Sequence, residues 1–298
     1  GEYFRKSVII TSEVLEKIKE LSLMAPLHNP PNVLGIETCQ KLLPWASNIA
    51  VFDTEFYSSL PRESYIYALP YEFYEQHKIR RYGFHGISHK YISAEAQKIL
   101  KKECGFKAQR MITCHLGAGS SITAILDGKP VDTSMGFTPL EGLVMTTRSG
   151  NIDPFIPIYL INNLNYTSQE VDELLNKKSG YLGVCGLKDF RDILKLETDK
   201  SRLCYQIYLR SVVKYIGSYL ALLGGVEAIV FAGGIGEGSA KFRKEVMVNF
   251  KFLGVKIDEK KNKQQATIIS AAKSKIKVLN IPTNEELMIA REALKVIK

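Results

Sequence analysis

The sequence predicts an α/β protein, and two observations support that prediction. Strand signals and helix signals alternate along the whole chain, which is typical of a sheet covered by helices. Several short apolar runs also end in polar or glycine-rich residues, and sites in α/β sheets usually form where strands end. The chain has 298 residues, of which 45% are hydrophobic and 24% charged, so it is large enough to enclose a sizeable core.

The first half of the chain contains one predicted helix and three predicted strands. Residues 12–22 carry apolar side chains at helical spacing after a Thr-Ser pair, which predicts a helix. Residues 48–52 are a short apolar run that ends in Asp53, which predicts a buried strand. Two more strands are predicted at 111–116 and 122–126, joined by a turn of small residues.

The second half continues the alternation. An apolar stretch at 207–223 predicts a helix that ends at a Gly-Gly pair. Residues 228–231 predict a buried strand that leads into a glycine-rich turn, with a helix beginning near residue 240. The last predicted strand covers 276–282. The Thr-Asn-Glu-Glu segment at 283–286 has the composition of a helix N-cap with an acidic first turn, so it predicts a closing helix.

Charge and cysteine usage exclude several classes of protein. The net charge is +9, but the basic residues are spread out, and the densest run, at 256–263, also contains Asp258 and Glu259. We therefore expect no nucleic-acid partner, and the positive balance suits small phosphorylated ligands. No window approaches 18 consecutive apolar residues, so no membrane partner is expected. Five widely spaced cysteines without a CxxC pair indicate a reducing, cytoplasmic location.

The first candidate site is the small-residue turn at 115–121. Its glycines would let backbone amides approach an anion closely, and its serine hydroxyls could donate as well. The same glycines would equally suit a tight hairpin without a ligand, and the sequence leaves both interpretations open. The turn is neither a Walker A loop nor a GxSxG nucleophile elbow, because its residues do not have either spacing.

The second candidate is the glycine-rich segment at 234–238, between a predicted strand and a predicted helix. A dinucleotide-binding Rossmann turn is the obvious alternative, and Asp258 lies about 20 residues further on, where a ribose-binding acid would be. The spacing GxGxG departs from GxGxxG, however, and the unit lies near the C-terminus. Nucleotide binding of another kind is the favoured interpretation.

Two further candidates carry basic side chains. His85 and His89 are four residues apart, but the metal motif HExxH needs glutamate where Gly86 stands. A histidine satisfied by neighbouring polar groups is therefore the simpler interpretation. Arg148 lies between apolar sequence and a turn. Its guanidinium could form a surface ion pair or grip a phosphoryl group as a fork.

Together these segments resemble the acetate kinase family along essentially the whole chain. The matching segments are 25–30 (APLHNP), 51–54 (VFDT), 80–86 (RRYGFHG), 131–145 (VDTSMGFTPLEGLVM) and 282–287 (PTNEEL). The resemblance implies the duplicated ribonuclease H-like fold shared with sugar kinases and actin-like ATPases. That fold has two lobes around a cleft, usually in a homodimer. It would divide this chain into 1–55 plus 286–298 in the N-terminal lobe, and 56–285 as the C-terminal nucleotide-binding and dimerisation lobe.

The resemblance also implies an activity, which is direct in-line phosphoryl transfer from ATP to acetate with Mg²⁺ or Mn²⁺. Propionate kinase shares almost every matching motif, so propionate stays open as the substrate. A rival of another class is a catalytically incomplete, dimerising nucleotide-binding fragment. Because a carboxylate is already a competent nucleophile, an enzyme of this kind mainly positions reactants and neutralises charge.

Site residues follow from the matching motifs. The implied catalytic residues are Asp53, His85 and Arg148, the last two of which would stabilise the transferring phosphoryl group. Glu285 matches the acid that helps to hold the metal ion. The implied substrate-binding residues are Leu27, His28, Phe84 and Pro139. The implied ATP-binding residues are His115, Leu116, Gly117, Ala118, Gly119, Asp189, Phe190, Arg191, Gly234, Ile235, Gly236, Glu237 and Gly238.

Some positions depart from the family's pattern. The family normally has asparagine where this chain has Ala118 and Gly238, and aspartate where it has Asn151. Gly1 matches the second glycine of a family His-Gly-Gly motif and is not an initiator methionine. We therefore expect a longer protein upstream, with a further phosphate loop and a substrate-clamping arginine.

Overall fold

The computed structural model describes residues 1–21 and 29–297. The strands in this part of the chain are β1 (Val8–Ile9), β2 (Ile49–Ala50), β3 (Arg110–Leu116), β4 (Ser120–Leu126), β5 (Lys129–Thr133), β6 (Ala228–Ala232) and β7 (Lys277–Asn280). The helices are α1 (Ser12–Glu20), α2 (Asn29–Leu42), α3 (Arg62–Tyr65), α4 (Glu72–His77), α5 (Gly86–Ile99), α6 (Phe155–Leu164), α7 (Ser168–Lys177), α8 (Gly180–Cys185), α9 (Phe190–Lys195), α10 (Asp199–Leu222), α11 (Gly233–Gly238), α12 (Ala240–Val248), α13 (Glu259–Lys263) and α14 (Glu285–Ile297). The predicted α/β class is confirmed.

The main sheet has five strands in the order β5-β4-β3-β6-β7. β3, β4 and β5 pair in antiparallel fashion, whereas β3, β6 and β7 run parallel to one another. Cys114 of β3 lies opposite Phe231 of β6, which lies opposite Asn280 of β7. The three parallel strands therefore end at the same edge of the sheet, beside the β3–β4 turn.

The central strands are buried on both faces, which explains why their sequences are continuously apolar. On one face, Ile112, Cys114 and Phe231 belong to a core cluster that includes the buried side of α10. On the other face, Met111 and Val230 belong to a cluster that includes the buried side of α5. Helices thus cover both faces and leave the strand ends free to form a site.

A second, smaller unit lies at the start of the chain. β1 and β2 pair in antiparallel fashion, and α1 packs against α2. Leu15 and Ile18 belong to a separate apolar cluster there. α14 contacts both α5 and the small sheet, so it connects the two units. The division into lobes at residues 55 and 286 stays a prediction.

Most elements lie close to their predicted positions. α1 begins as predicted because the hydroxyl of Thr11 accepts a hydrogen bond from the amide of Val14 and caps the helix. The strand predicted at 48–52 is shorter, with only Ile49 and Ala50 paired to β1. The last strand ends at Asn280, two residues before Pro282, which cannot donate to a ladder.

Two boundaries differ from the prediction. α10 begins at Asp199, well before residue 207, because Thr198 caps it and its first turns are mostly polar, which apolar spacing does not register. The predicted glycine turn is a short helix, α11. Gly233 can enter it with φ +76°, and its amide donates to the carboxylate of Glu237 at 2.8 Å.

The structure also bears on the membrane and cysteine predictions. Within residues 1–21 and 29–297, no helix combines the length and the apolar character needed to cross a bilayer. All five cysteines carry free thiols, and Cys114 and Cys204 are buried. These two side chains therefore act as small apolar members of the core.

Candidate active site

The parallel strands deliver three predicted site segments to one edge of the sheet. β3 leads to Gly117, β6 to Gly233 and β7 to the segment around Thr283. The first two segments approach closely, since a Cβ built on Gly117 would lie 3.7 Å from the amide nitrogen of Gly234. Because ligands of parallel sheets bind outside the carboxyl ends of strands, this edge is the candidate active site.

Asp53 holds the start of α5. Its carboxylate accepts the backbone N–H of His85 at 2.6 Å and that of Ile87 at 3.2 Å. His85 has a left-handed backbone with φ +56°, which costs a non-glycine residue about 1 kcal/mol. The surrounding structure, and not local preference, therefore imposes the position of His85.

Gly86 allows Asp53 and α5 to come this close. A Cβ on Gly86 would lie 2.1 Å from the carbonyl oxygen of Asp53, a separation that no side chain tolerates. Glycine is needed here for close packing of two backbones. The strand-end aspartate and the helix-start histidine are consequently held together as one unit.

His85 and Arg148 converge above Gly119 in the β3–β4 turn. A Cβ built on Gly119 would lie 3.0 Å from Nε2 of His85 and 3.8 Å from Nη1 of Arg148. One point in space is thus within reach of an imidazole nitrogen and a guanidinium nitrogen. Groups of this kind can donate hydrogen bonds to two oxygens of a single phosphoryl group.

Burial and a neighbouring charge keep His85 neutral. Desolvation and, to a smaller extent, the Arg148 guanidinium together lower the pKa of His85 to about 4. Desolvation also lowers the pKa of Arg148, which nevertheless stays protonated because its ordinary value is far above neutrality. At neutral pH the pair therefore offers one cation and one uncharged imidazole.

Pro139 and Phe84 flank these two side chains. Nη1 of Arg148 donates to the carbonyl oxygen of Pro139 at 3.3 Å. Phe84 immediately precedes His85, and its carbonyl oxygen accepts a hydrogen bond from the hydroxyl of Tyr57 at 3.0 Å. Two of the four residues implied for substrate binding therefore lie next to the pair, Pro139 through a hydrogen bond to Arg148 and Phe84 through its peptide bond to His85.

His115 connects the β3 end to α5 and to the segment after β7. Its ring lies 4.5 Å from the ring of His85, measured between centroids. Its Nδ1 is hydrogen-bonded to Oγ of Ser88 at 2.8 Å, and that oxygen is bonded to Oγ1 of Thr283 at 2.7 Å. Desolvation and, to a smaller extent, His85 lower the pKa of His115 to about 3, against the opposing charge of Asp53.

Glu285, at the start of α14, is close enough to Asp53 for their charges to interact. Partial desolvation raises the pKa of Glu285, and the Asp53 charge raises it further, although more than a third of Glu285 is exposed. Burial likewise raises the pKa of Asp53, against the hydrogen bonds from Ile87 and His85. Mutually repelling carboxylates suit a hard divalent cation. Within the described residues, no three or more His, Cys, Asp or Glu side chains are arranged to hold a metal ion. Two carboxylates alone would suit an ion that keeps much of its water.

The β3–β4 turn is the hairpin that the sequence predicts. Two of its backbone N–H groups take no part in the hydrogen bonds that close the turn. The N–H of Gly117 donates to the carbonyl oxygen of Gly119 at 3.0 Å, which closes the turn. Ser120 is buried and donates to the carbonyl oxygen of Gly117 at 3.1 Å. Within the described part of the chain, the N–H groups of Ala118 and Gly119 have no protein partner. They remain available to an anion.

A buried arginine fixes the end of α11. The side chain of Arg243 is fully buried. Its guanidinium donates to the carbonyl oxygens of Gly236 at 2.7 Å and Glu237 at 2.5 Å. It also donates to the side-chain oxygen of Asn262 at 2.8 Å and to its carbonyl oxygen at 2.9 Å. Burial lowers the pKa of Arg243 to about 10, so it is charged at neutral pH.

The other end of α11 is fixed by Glu237. Its carboxylate accepts the amide of Gly233 at 2.8 Å and the amide of Thr283 at 3.1 Å, which joins α11 to the segment after β7. Gly238 is exposed, and a Cβ built on it would meet no atom within 4 Å. The family's asparagine would therefore fit there without displacing a neighbour.

The segment at 189–191 is far more open. Asp189 caps α9 by accepting the amide of Arg191 at 2.7 Å, and their side chains form an ion pair at 2.6 Å. The side chain of Arg191 is 82% exposed. Phe190 is buried instead, and its ring packs 5.5 Å from that of Phe242 in α12. Only Asp189 and Arg191 present side chains to solvent, while Phe190 stabilises the core.

Asn151 has a structural place in the loop that follows Arg148. Its Oδ1 accepts the amide of Gly142 at 2.7 Å, and its Nδ2 donates to the hydroxyl of Tyr215 at 2.7 Å. An aspartate could accept from both groups, because a tyrosine hydroxyl can also donate. This departure therefore does not disturb the loop.

Most of the predicted site residues lie near one edge of the main sheet, but not all of them can be placed. Leu27 and His28 lie outside the described residues. Three buried hydroxyl residues contact the histidines, namely Ser88, Thr113 and Ser121. The sequence analysis missed these contacts, although Ser121 lies in the predicted turn, because only the packing of α5 on the sheet brings the hydroxyls and the histidines together. Arg243 could have been found, since it lies among the apolar residues of α12.

Comparisons with known proteins agree with this architecture. A family model described as the acetokinase family matches residues 1–291. The acetate kinase of Clostridium novyi is 51% identical over 304 residues, covering 100% of this chain and 75% of the relative. The crystal structure of Porphyromonas gingivalis acetate kinase matches with a TM-score of 0.93 and 43% identity, over 100% of this chain and 76% of that one. A propionate kinase structure from Francisella tularensis matches with a TM-score of 0.92 and 46% identity, over 98% and 76%.

The mixed sheet, the strand-end site and these relatives define the class of the molecule, which is a phosphotransferase with the acetate and sugar kinase fold. The chain belongs to the acetokinase family. It spans about three quarters of the length of the relatives that it matches. The predicted fold class and family are therefore confirmed.

Proposed function

We propose that this chain catalyses reversible phosphoryl transfer from ATP to acetate, giving acetyl phosphate and ADP. The observation that carries the proposal is the convergence of His85 Nε2 and Arg148 Nη1 on one point above Gly119. An arginine and an imidazole around a single small site can donate hydrogen bonds to the equatorial oxygens of a phosphoryl group during its transfer.

The chemistry needs no covalent intermediate on the protein. Acetate is ionised at neutral pH and attacks the terminal phosphorus directly, so the bond to the ADP oxygen breaks as the bond to the carboxylate oxygen forms. Arg148 supplies positive charge to the developing transition state, and His85 supplies a neutral donor. Asp53 positions His85 through its backbone amide, which is the role its hydrogen bonds support.

Glu285 is the proposed metal-binding residue, with Mg²⁺ or Mn²⁺ as the ion. When bound, such an ion neutralises phosphate oxygens. Glu285 fits this role because its charge and that of Asp53 repel each other, and a cation between them would relieve that repulsion. Its position after β7 also places it at the same sheet edge as the other site segments.

The ATP site is proposed along the strand ends. The free amides of Ala118 and Gly119 would face the phosphates, next to His115, Leu116 and Gly117. The adenosine would lie between the segments at 189–191 and 234–238, each of which has both exposed and buried residues. Both segments are anchored to the aromatic core through Phe190 and Phe242.

The acyl pocket is proposed around Phe84 and Pro139, with Leu27 and His28 as further members. Its size decides between acetate and propionate, and one methylene in such a pocket is worth about 10- to 200-fold in kcat/KM. Propionate is kept as an alternative because a propionate kinase structure is among the similar ones. We expect acetate to give the higher kcat/KM. A higher value for propionate would reassign the substrate.

A direct assay tests the proposal and its rival of another class. The chain is incubated with ATP, Mg²⁺ and acetate, and acetyl phosphate is trapped with hydroxylamine while ADP is measured separately. Acetyl phosphate and ADP in equal amounts are the expected result. ATP binding by calorimetry without either product would support a nucleotide-binding fragment instead.

A homodimer is proposed through α6. This helix has no buried residue, yet it exposes Phe155, Ile158, Tyr159 and Leu164. An apolar helix that the described residues leave largely exposed is suited to packing against the same helix of a second copy. Sedimentation should give a dimer for the chain and a monomer for Ile158→Lys. The control Gln264→Lys adds the same charge at an exposed position outside α6 and should stay dimeric.

The cytoplasm is the proposed location. The five free thiols suit a reducing compartment, as does a substrate pair of ATP and a small carboxylate. Fractionation of cells that express the chain tests this. Recovery of most phosphotransferase activity outside the cytoplasmic fraction would overturn the assignment.

A further inference from the structure

A chain of hydrogen bonds runs from the core of the protein to His85. Oγ1 of Thr113 lies 2.7 Å from Nδ1 of His89, and Nε2 of His89 lies 2.7 Å from Oγ of Ser121. The same serine oxygen lies 2.9 Å from Nδ1 of His85. Thr113, His89 and Ser121 are fully buried, so water does not compete for these bonds.

We propose that Thr113, His89 and Ser121 are positioning residues that hold His85 in the tautomer whose Nε2 carries the hydrogen. That nitrogen is the one that faces the point above Gly119, beside Arg148. The three residues do not touch this point themselves. They would act through the ring of His85.

The number of hydrogens limits the chain to two complete arrangements. Each hydroxyl has one hydrogen, and each neutral imidazole has one N–H. In the first arrangement Thr113 donates to His89, His89 donates to Ser121, and Ser121 donates to Nδ1 of His85. The hydrogen of His85 is then on Nε2. In the second arrangement every donation is reversed, and His85 donates from Nδ1.

Thr113 decides between the two arrangements. Within residues 1–21 and 29–297, Nδ1 of His89 is the one hydrogen-bond partner of its hydroxyl. In the second arrangement Thr113 only accepts, and its own buried hydrogen has no acceptor. An unpaired buried donor is costly, whereas an unused lone pair costs much less. The first arrangement is therefore favoured.

The groups around His85 are compatible with that arrangement. Nη1 of Arg148 donates to the carbonyl oxygen of Pro139 and contacts the sulfur of Met145, so it does not need a lone pair on Nε2. His115 stacks on the ring of His85 but is hydrogen-bonded to Ser88. His89 is neutral because burial lowers its pKa well below the usual value.

The tautomer matters because His85 is uncharged at neutral pH. An uncharged imidazole is a donor at one nitrogen and an acceptor at the other. Phosphoryl oxygens only accept, so His85 can stabilise them only if Nε2 carries the hydrogen. This consequence rests on the proposed function, whereas the tautomer itself does not.

Nuclear magnetic resonance of the full chain with ¹⁵N-labelled histidine tests the tautomer directly. The chain has five histidines, and the signals of His85 are those that disappear in His85→Gln. Long-range ¹H–¹⁵N correlation at pH 7 distinguishes a ring nitrogen that carries hydrogen from one that does not. The expected result is hydrogen on Nε2 and none on Nδ1. Hydrogen on Nδ1, or on both nitrogens, would overturn the proposal.

A pair of variants tests the role of Thr113. Thr113→Val keeps the shape but removes the hydroxyl. The first arrangement then leaves only a lone pair of His89 Nδ1 unused, whereas the second leaves an N–H there without an acceptor, so the hydrogen of His85 should stay on Nε2. The bond that fixes the ring of His89 is lost, so kcat should fall about tenfold. KM for ATP should change less than about twofold, because Thr113 does not touch the nucleotide site. Thr113→Ser restores the hydroxyl and should restore kcat.

The remaining outcomes separate the two proposals. Hydrogen on Nδ1 of His85 in Thr113→Val would overturn the direction assigned to the chain, and an unchanged kcat would overturn the positioning role of Thr113. Hydrogen on Nε2 of the unaltered chain, without loss of kcat in His85→Gln, would support the hydrogen-bond chain and count against His85 as a hydrogen-bond donor to the phosphoryl group. If Thr113→Val does not fold, the spectrum of the unaltered chain decides.

Discussion

The two ends of the candidate active site are built in opposite ways. At the proposed phosphoryl end, His85 and Arg148 are held by partly buried hydrogen bonds, and Asp53 fixes a left-handed backbone at His85. At the adenosine end, Asp189 and Arg191 form an exposed ion pair, with 82% of the arginine side chain in solvent.

The difference indicates what each end can do. Fixed donors in a desolvated place stabilise charge that develops during a reaction, because they need no reorganisation. Exposed ion pairs are screened by water and contribute little free energy. Changes at the first end should therefore act on kcat, and changes at the second end should act weakly and on KM.

The largest effect is expected from Arg148→Ala. Removing a charge that acts mainly on the transition state should lower kcat about 100- to 1,000-fold, with KM for ATP within about threefold. Steady-state kinetics with ATP and acetate measures both constants. Near-normal turnover would remove Arg148 from the mechanism and abolish the contrast between the ends.

Arg243→Met tests the element between the two ends. It leaves the carbonyl oxygens of Gly236 and Glu237 without their buried donor, so the free energy of unfolding should fall by about 3 kcal/mol. Loosening of α11 should also raise KM for ATP about tenfold while kcat stays within about threefold. The neighbouring Lys244 is exposed and paired with Glu259, so Lys244→Met is the matched control and should change stability by less than about 0.5 kcal/mol. Equal effects of the two variants would contradict this account of α11.

Acid should weaken the phosphoryl end before the adenosine end. His85, His89 and His115 have a folded-state pKa below the usual 6.5, so they bind protons more readily when unfolded. Stability is full above pH 6.5 and is lost as the pH falls towards about 4, by up to about 1.4 kcal/mol per pH unit for each histidine. Asp53, whose pKa burial raises, acts in the opposite direction and reduces this slope.

The adenosine end should respond only at lower pH. Hydrogen bonding and charge from Arg191 lower the pKa of Asp189 from 3.8 to about 2, so its stabilising contribution is lost only below about pH 4.

Urea unfolding at pH 7, 6 and 5 measures how steeply the free energy of unfolding falls as the three histidines bind protons. A free energy of unfolding that does not change from pH 7 to 5 would contradict the burial of the three histidines as neutral rings.

The smallest effect is expected from Arg191→Ala. It removes one exposed partner of an ion pair, so KM for ATP should rise no more than about threefold, with kcat and stability unchanged. Lys188→Ala, in the same exposed segment, is the control for a general loss of positive charge. A fall in kcat comparable to that of Arg148→Ala would show that the two ends do not differ as described.

Sequence reasoning reached the fold class because that class depends on local patterns, whereas the assignment of the site residues stays a prediction. Buried strands such as β3 and β6 are continuous apolar runs, and the resemblance placed Asp53, His85 and Arg148 by motif. The left-handed backbone of His85 and the close approach of Gly86 to Asp53 have no sequence signal, since they arise from packing of α5 against the end of a strand.

The hydroxyl residues show the same limit. Ser121 was included in a turn motif. Its hydrogen bonds to His85 and His89, however, form only when α5 packs on the sheet in one particular position. Residues 233–238 were predicted as a turn but form the helix α11. This helix depends on the carboxylate of Glu237 and on the side chain of Arg243, which come together only in the folded chain. Side-chain networks between distant segments are therefore the part that the sequence does not reveal.

The central claim is that His85 and Arg148 act on the same phosphoryl group. A double-mutant cycle in kcat, with His85→Ala, Arg148→Ala and the double variant, tests it most directly. If both side chains grip one group, the double variant should lose at least about tenfold less than the product of the two single losses. Single losses that multiply fully in the double variant would mean that the two residues act independently, and that the site is not the one described.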